Sequence, residues 1–397
     1  MKKKEEKKIG KPSRLLWFFA FLVLYPWYRL RYRAVFVKKG VKAIKGPALV
    51  LCPHTAVCDP FIIGVALYPT RPNYVASAHV LAKPLFRRLL SLVHIIPKRM
   101  FTKDISTVLN IRRAMREGNV VVLFPEGRLS CWGQSLPLVE GTADMVARLG
   151  VPVYKIVNKG AYLTFPKWGK YTRVGKISVE TSLLFDKDEL KGLSVEEIRE
   201  RLERELYHND GQAMAGQTYR CRDISAGLEG ILYRCPVCHK EGKTFAKGGK
   251  IGCSCGFTAT LHKDYTLSGA PFPSIDGWYR WQEDCLDLNT PLISPVMVGS
   301  PDEKGDMKDD AGQGEAVLTR ESFSFSGEVF GKPLSFTVKR SGLGGFPITV
   351  SHHFDVYYEN RLYCMQPLPD RRMAVKWVSF LDKANAEDRQ RALAEKP

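Results

Sequence analysis

The chain has 397 residues, 60 Lys and Arg against 41 Asp and Glu, and a net charge of +19, which leaves room for two or three domains with ample core. Residues 1–261 hold 44 basic and 21 acidic side chains, whereas residues 262–397 hold 16 and 20. The basic part therefore expects an anionic partner, nucleic acid or an anionic membrane, and the acidic C-terminal part argues against a chain devoted to nucleic acid.

Residues 1–34 read as a membrane-anchoring segment. Lys2, Lys3, Lys4, Lys7, Lys8, Lys11 and Arg14 precede an apolar, aromatic run from Leu15 to Tyr28, and Arg29, Arg31 and Arg33 follow it. The run is shorter than the roughly 20 residues a spanning helix needs. Aromatic residues flanked by cations suit a segment lying in the headgroup interface, drawn to anionic lipid. A signal peptide shares the basic start and apolar core, but only Pro26, aromatics and arginines follow where a small-residue cleavage site belongs.

From residue 35 to 210, strand and helix patterns alternate. Strands are expected at 48–51, 74–76, 94–96, 120–124, 151–157 and 177–184. Helices are expected at 61–67, 84–92, 105–117 and 138–149, with Gly118 and Gly150 as stops. Ser194 and Glu197 form a capping-box pattern that opens a charged helix over 195–207. The alternation predicts an α/β domain with a mixed or mostly parallel sheet flanked by helices.

Two segments in this domain carry chemistry. After the first strand comes Pro53-His54-Thr55-Ala56-Val57-Cys58-Asp59-Pro60, in which His54 can act as a general base and Asp59 can orient it. Asp59 before Pro60 also reads as a helix N-cap. After the strand at 120–124 comes Pro125-Glu126-Gly127-Arg128-Leu129-Ser130, a turn whose guanidinium and backbone donors suit an anion. The two strand ends should converge at one edge of the sheet.

These segments, with Val93-His94-Ile95-Ile96-Pro97-Lys98-Arg99 and Gly150-Val151-Pro152-Val153-Tyr154 in order and spacing, resemble the glycerophospholipid acyltransferase family over residues 48 to about 185. That family contains 1-acylglycerol-3-phosphate acyltransferase. The resemblance implies catalysis by His54 and Asp59. It implies substrate contacts at Lys98, Arg99, Glu126, Gly127, Arg128 and Pro152, with the basic residues on an acceptor phosphate and Glu126 organising its turn or meeting the glycerol hydroxyl. It also implies a donor thioester, acyl-CoA or acyl carrier protein, and a lysophospholipid acceptor. The chain departs from the family at Pro53, Ala56, Val93, Lys98 and Leu129, with Arg128 one position early. These departures touch the acceptor pocket.

Residues 211–262 read as a zinc ribbon. Cys235, Cys238, Cys253 and Cys255 form two tight pairs separated by a loop containing Gly242, Gly248 and Gly249, which suits a closed tetrahedral structural zinc. The second pair is one residue tighter than usual, so His239 or His262 can stand in for a ligand. The other six cysteines read as unpaired apolar residues of a reducing compartment.

Residues 263–397 read as a β-rich domain with strands at 315–326, 334–339, 348–350, 354–359 and 362–365 and a C-terminal helix over 374–394. An acidic, glycine-containing mobile loop is expected at 300–314. This element order resembles the pleckstrin-homology-like architecture. The expectation for the whole chain is an acyltransferase of phospholipid biosynthesis, peripheral or monotopic on the cytoplasmic face of a membrane, most readily converting 1-acylglycerol-3-phosphate to phosphatidic acid. Another lysolipid acceptor and a non-catalytic lipid-binding protein are the alternatives.

Overall fold

The computed structural model describes residues 8–77, 92–98 and 105–395. It divides into two compact units, one of Met1–Thr164 with Val174–Gln217 and one of Phe165–Arg173 with Thr218–Pro397.

The first unit is built on a seven-stranded mixed sheet in the order β1-β7-β6-β2-β5-β3-β4. Its strands are β1 (Val35–Lys39), β2 (Ala48–Leu51), β3 (Asn73–Ser77), β4 (Ile96–Lys98), β5 (Val120–Leu123), β6 (Val153–Lys159) and β7 (Ser178–Phe185). β2 runs parallel to β5 and β6, and β5 to β3, while β7 is antiparallel to β6. β2 and β5 are buried along their whole length. Continuous apolar runs such as Ala48-Leu49-Val50-Leu51 are what a parallel strand covered on both faces requires.

The longer helices of the unit are α1 (Arg14–Arg31), α2 (Asp59–Leu67), α3 (Ile105–Arg116), α4 (Thr142–Leu149) and α5 (Val195–Leu206). The expected helix at 84–92 lies almost wholly outside the described residues. α5 opens with the capping box read from Ser194 and Glu197. α4 starts later than the pattern at 138 suggests, because Gly141 adopts a left-handed conformation that begins the helix there. α1 exposes Leu15, Phe19, Leu22, Val23, Trp27 and Leu30 and buries Tyr28. It rests on its neighbours through Phe21 stacked on Tyr68 at 3.8 Å and Tyr25 on Phe36 at 5.8 Å. Among the described residues no helix is long and apolar enough to cross a membrane. The chain entering α1 is tied to the sheet: Glu117 accepts the Ile9 and Gly10 N–H groups, and the Asn73 and Asn119 amides donate to the Gly10 carbonyl.

The second unit holds a four-stranded sheet, β11-β10-β9-β8, and a seven-stranded antiparallel sheet, β15-β14-β13-β12-β18-β17-β16. In the small sheet these are β8 (Thr244–Lys247), β9 (Lys250–Cys253), β10 (Thr258–Leu261) and β11 (Leu267–Ser268). Helix α6 (Ile275–Asp284), which the sequence reading missed, follows it and buries Trp278 and Tyr279. The large sheet comprises β12 (Leu292–Pro301), β13 (Met307–Leu318), β14 (Ser322–Val329), β15 (Lys332–Lys339), β16 (Ile348–Thr349), β17 (His353–Tyr358) and β18 (Arg361–Pro367). Helix α7 (Ala374–Ala394) occupies the expected span and buries Val375, Trp377, Val378, Phe380, Leu381 and Ala384. Trp377 stacks on Phe354 at 5.1 Å within an aromatic core.

The mobile loop expected at 300–314 is instead the β12–β13 hairpin. The Asp302 carboxylate accepts the Lys304 and Asp306 N–H groups, and the Asp302 N–H donates to the Asp306 carbonyl, which closes the turn. Gly305 lies in that turn at φ +86°, whereas Gly312 and Gly314 are strand residues that a neighbour approaches closely: a Cβ on Gly312 would sit 1.9 Å from the Glu328 carbonyl oxygen. The run at 315–326 is likewise two strands, β13 and β14, separated at Thr319–Glu321.

Leu49, fully buried at the centre of the first sheet, gives a direct check on this core. Leu49→Ala should destabilise the first unit by about 2–5 kcal/mol, read as a lower urea midpoint with an unchanged slope.

Candidate active site

β2 and β5 end side by side, Leu51 opposite Leu123, so the chain leaving each strand enters the same region. Pro53–Asp59 follows β2 and Phe124–Ser130 follows β5. The Ser130 N–H donates to the His54 carbonyl at 2.9 Å, which joins the two loops directly.

Asp59 is the fixed point of the site. It is fully buried and accepts four hydrogen bonds: His54 Nδ1 at 3.0 Å, Thr55 N–H at 3.0 Å, Ala56 N–H at 2.9 Å and Asn158 Nδ2 at 2.9 Å. Asp59 is the first residue of α2, and the preceding Cys58 makes no side-chain cap. Its carboxylate turns back to the His54 loop, so the cap-like sequence Asp59-Pro60 serves the histidine. The His54 ring stacks on Phe124 at 4.2 Å, and its side chain remains 21% exposed. With Nδ1 held by Asp59, Nε2 is the nitrogen left for a ligand.

Glu126 is buried and spans the two loops: Oε1 accepts the His54 N–H at 3.0 Å and Oε2 accepts the Leu136 N–H at 2.9 Å. Burial pushes its carboxyl up to about 8, opposed by those two N–H donors and by Arg128. Both oxygens are engaged in holding backbone. Gly127 adopts φ +73°, and a Cβ there would lie 2.9 Å from Val139 Cγ2, so the turn requires glycine. Arg128 is 8% exposed.

The other residues singled out in the sequence are placed differently. Lys98 ends β4, at the same strand ends as the site but on the sheet's edge. Arg99 lies outside the described residues. Pro152 precedes β6, and its carbonyl accepts the Leu49 N–H. It therefore sits at the opposite end of β2 from His54, roughly 15 Å away at about 3.3 Å per residue, because family-block order along the chain does not fix which strand end a residue occupies. Asn158 was missed. Its only sequence signal is a polar side chain directly after the strand pattern at 151–157.

The four cysteine sulfurs of the second unit also come together. Cys235 Sγ lies 3.8 Å from Cys255 Sγ and Cys238 Sγ 3.7 Å from Cys253 Sγ, with all four within 4.8 Å of one another. Neither histidine alternative belongs to this group: His262 bonds Ser268 Oγ at 2.7 Å and His239 packs against Trp281.

A family model described as Acyltransferase matches residues 33–159. A 1-acyl-sn-glycerol-3-phosphate acyltransferase of Cocos nucifera is 24% identical over 189 residues, 42% of this chain and 61% of that protein, so the chain spans 61% of the curated relative's length. The crystal structure of the 1-acyl-sn-glycerophosphate (LPA) acyltransferase PlsC from Thermotoga maritima aligns with a TM-score of 0.37 at 16% identity, over 50% of this chain and 94% of that one.

The raised carboxyl of Glu126 has a pH signature. The folded state keeps a proton that the unfolded chain releases near the ordinary value of 4.5, so stability should fall as pH rises from about 4.5 to 8. Glu126→Gln should flatten that slope in denaturation curves taken across the window, and an unaltered slope would place the proton elsewhere. Residues 33–159, the part of the chain that matches the Acyltransferase family model, hold the His54, Asp59 and Glu126 loops.

Proposed function

We propose that the chain is an O-acyltransferase that moves an acyl group from a thioester, acyl-CoA or acyl carrier protein, to the free hydroxyl of a lysophospholipid. The acceptor that best fits is 1-acylglycerol-3-phosphate, giving phosphatidic acid. The observation that carries this reading is His54 Nδ1 held at 3.0 Å by a buried Asp59 while the ring stays partly open to a ligand.

His54 Nε2 takes the proton of the acceptor hydroxyl as its oxygen attacks the thioester carbonyl. Asp59 fixes the tautomer and stabilises the imidazolium. The tetrahedral intermediate then expels the thiolate, which recovers the proton from His54. No covalent enzyme intermediate is needed, because the donor is already activated. The neighbouring thiol is a poor nucleophile in any case: burial, reinforced by the Asp59 charge, pushes Cys58 well up. Asn158 is a positioning residue that holds Asp59 from the far side, and Glu126 positions the backbone of His54.

Arg128, with Lys98 and Arg99, receives the acceptor phosphate. The exposed apolar side chains of α1, together with Val57 and Phe61 beside the His54 loop, rest on an anionic membrane surface and bring the acceptor to His54. Cys235, Cys238, Cys253 and Cys255 hold a structural zinc. A tetrahedral ZnS4 centre with bonds of about 2.3 Å has sulfur–sulfur edges of about 3.8 Å, which supports this donor set. The seven-stranded sheet closed by α7 supports the pleckstrin-homology-like reading of residues 263–397.

His54→Ala should lower transfer by about 100- to 10,000-fold in a protein with unchanged circular dichroism; near-normal turnover would remove the base mechanism. Arg128→Ala should raise the acceptor KM about ten- to a hundredfold and leave the donor KM alone. An unchanged acceptor KM with lowered stability would instead make Arg128 the counter-charge of Glu126. For the ribbon, Cys238→Ser should release one zinc and make the chain protease-sensitive between Cys221 and Tyr265 while acyl transfer persists. Zinc-free wild-type protein would refute the site.

A further inference from the structure

A second group of possible metal ligands lies on the large sheet of the second unit. Asp355 of β17 and Cys364 of β18 are directly opposed across the strand pair, and His353 stands two residues from Asp355 on the same face. The intervening Phe354 alternates to the other face, where it is buried against Trp377, and Val356, next along the strand, is buried as well. One donor atom from each of His353, Asp355 and Cys364 falls within 4.8 Å of the others.

We propose that His353, Asp355 and Cys364 bind one zinc ion, with water as the fourth ligand. Nitrogen, oxygen and thiolate donors in a set of three with an open position suit tetrahedral zinc. The spacing fits. His353 Nε2 lies 3.4 Å from Asp355 Oδ1, which is the edge of a tetrahedron whose metal–ligand bonds are about 2.0–2.1 Å.

Two further observations point to a cation. Asp355 Oδ1 is a buried oxygen with no hydrogen-bond partner among the described residues, an arrangement that calls for an unaccounted ligand. His352 Nδ1 lies 2.8 Å from His353 Nδ1, so one of these nitrogens carries the proton and the other accepts it. With the proton on His353 Nδ1, Nε2 turns a lone pair toward Asp355, the state in which an imidazole ligates metal and donates its other N–H to a neighbour.

The remaining charges nearby are compatible. Lys167 attracts the Asp355 carboxylate and Asp309 acts on Cys364, so a dication competes with one cation and gains one further anion. The Cys364 thiol carries one proton and stands opposite Asp355 across the strand pair. Zinc binding would expel that single proton to solvent and leave the thiolate on the metal. The His353 and Asp355 side chains keep 17% and 19% of their surface exposed, which leaves a path for the ion.

Zinc content of the full-length chain after dialysis against a chelating resin decides the matter, with Cys364→Ser, His353→Gln and Cys238→Ser measured beside it. Wild type should hold two zinc ions per chain. Cys364→Ser and His353→Gln should each hold one, and Cys238→Ser should also retain one. His353→Gln is a change at a partly exposed position, so it decides the question even if Cys364→Ser fails to fold. The proposal is overturned if folded His353→Gln protein keeps the wild-type zinc content. One zinc in wild type, lost in His353→Gln and kept in Cys238→Ser, would remove the cysteine ribbon site and leave this one standing.

Discussion

The buried carboxylate of Asp59 is the constraint on which the proposed chemistry depends. An ionised group with no surface exposure persists only where hydrogen bonds replace its hydration, and here four donors do so. Two are backbone N–H groups of the loop that carries His54, one is His54 itself, and the last reaches across from β6. The same bonds that satisfy the charge therefore set the loop's path and the ring's orientation. Removing any one donor would disturb all of these together.

Glu126 repeats this logic one loop away. Its carboxyl is buried, its two oxygens each take a backbone N–H, and the loops they belong to come from β2 and β5. Two carboxyl groups thus fix the histidine, Asp59 at its ring and Glu126 at its backbone N–H, beside the ends of fully buried strands. Such placement keeps a general base within the narrow geometric range that proton transfer tolerates. Exposed apolar side chains also lie along α1 and at Val57 and Phe61 beside the His54 loop.

Much of the fold was legible because local pattern and global environment agree. The runs 48–51 and 120–124 are apolar throughout, and both are buried central strands. Ser194 and Glu197 announce α5, and the C-terminal helix occupies its expected span. Legibility failed where the deciding contact is distant in sequence. Asn158 acts on Asp59 from 99 residues away, and nothing local marks it. The stretch 300–314 looks mobile because glycine and acidic residues suggest disorder, whereas there Gly312 and Gly314 admit the neighbouring strand β14 and Asp302 closes a turn. Pro152 matches a family block yet sits at the wrong end of its strand, since a motif's order says nothing of sheet geometry.

The central claim is that His54 activates the acceptor hydroxyl directly, without an acyl-enzyme. Purified protein should be mixed with a radiolabelled long-chain acyl-CoA, first alone and then with vesicles containing 1-acylglycerol-3-phosphate, and both protein and lipid analysed for label within a single turnover. The account predicts label in phosphatidic acid only when the acceptor is present, with none bound covalently to the chain in either case. Label on the protein that chases into lipid when acceptor is added would contradict it.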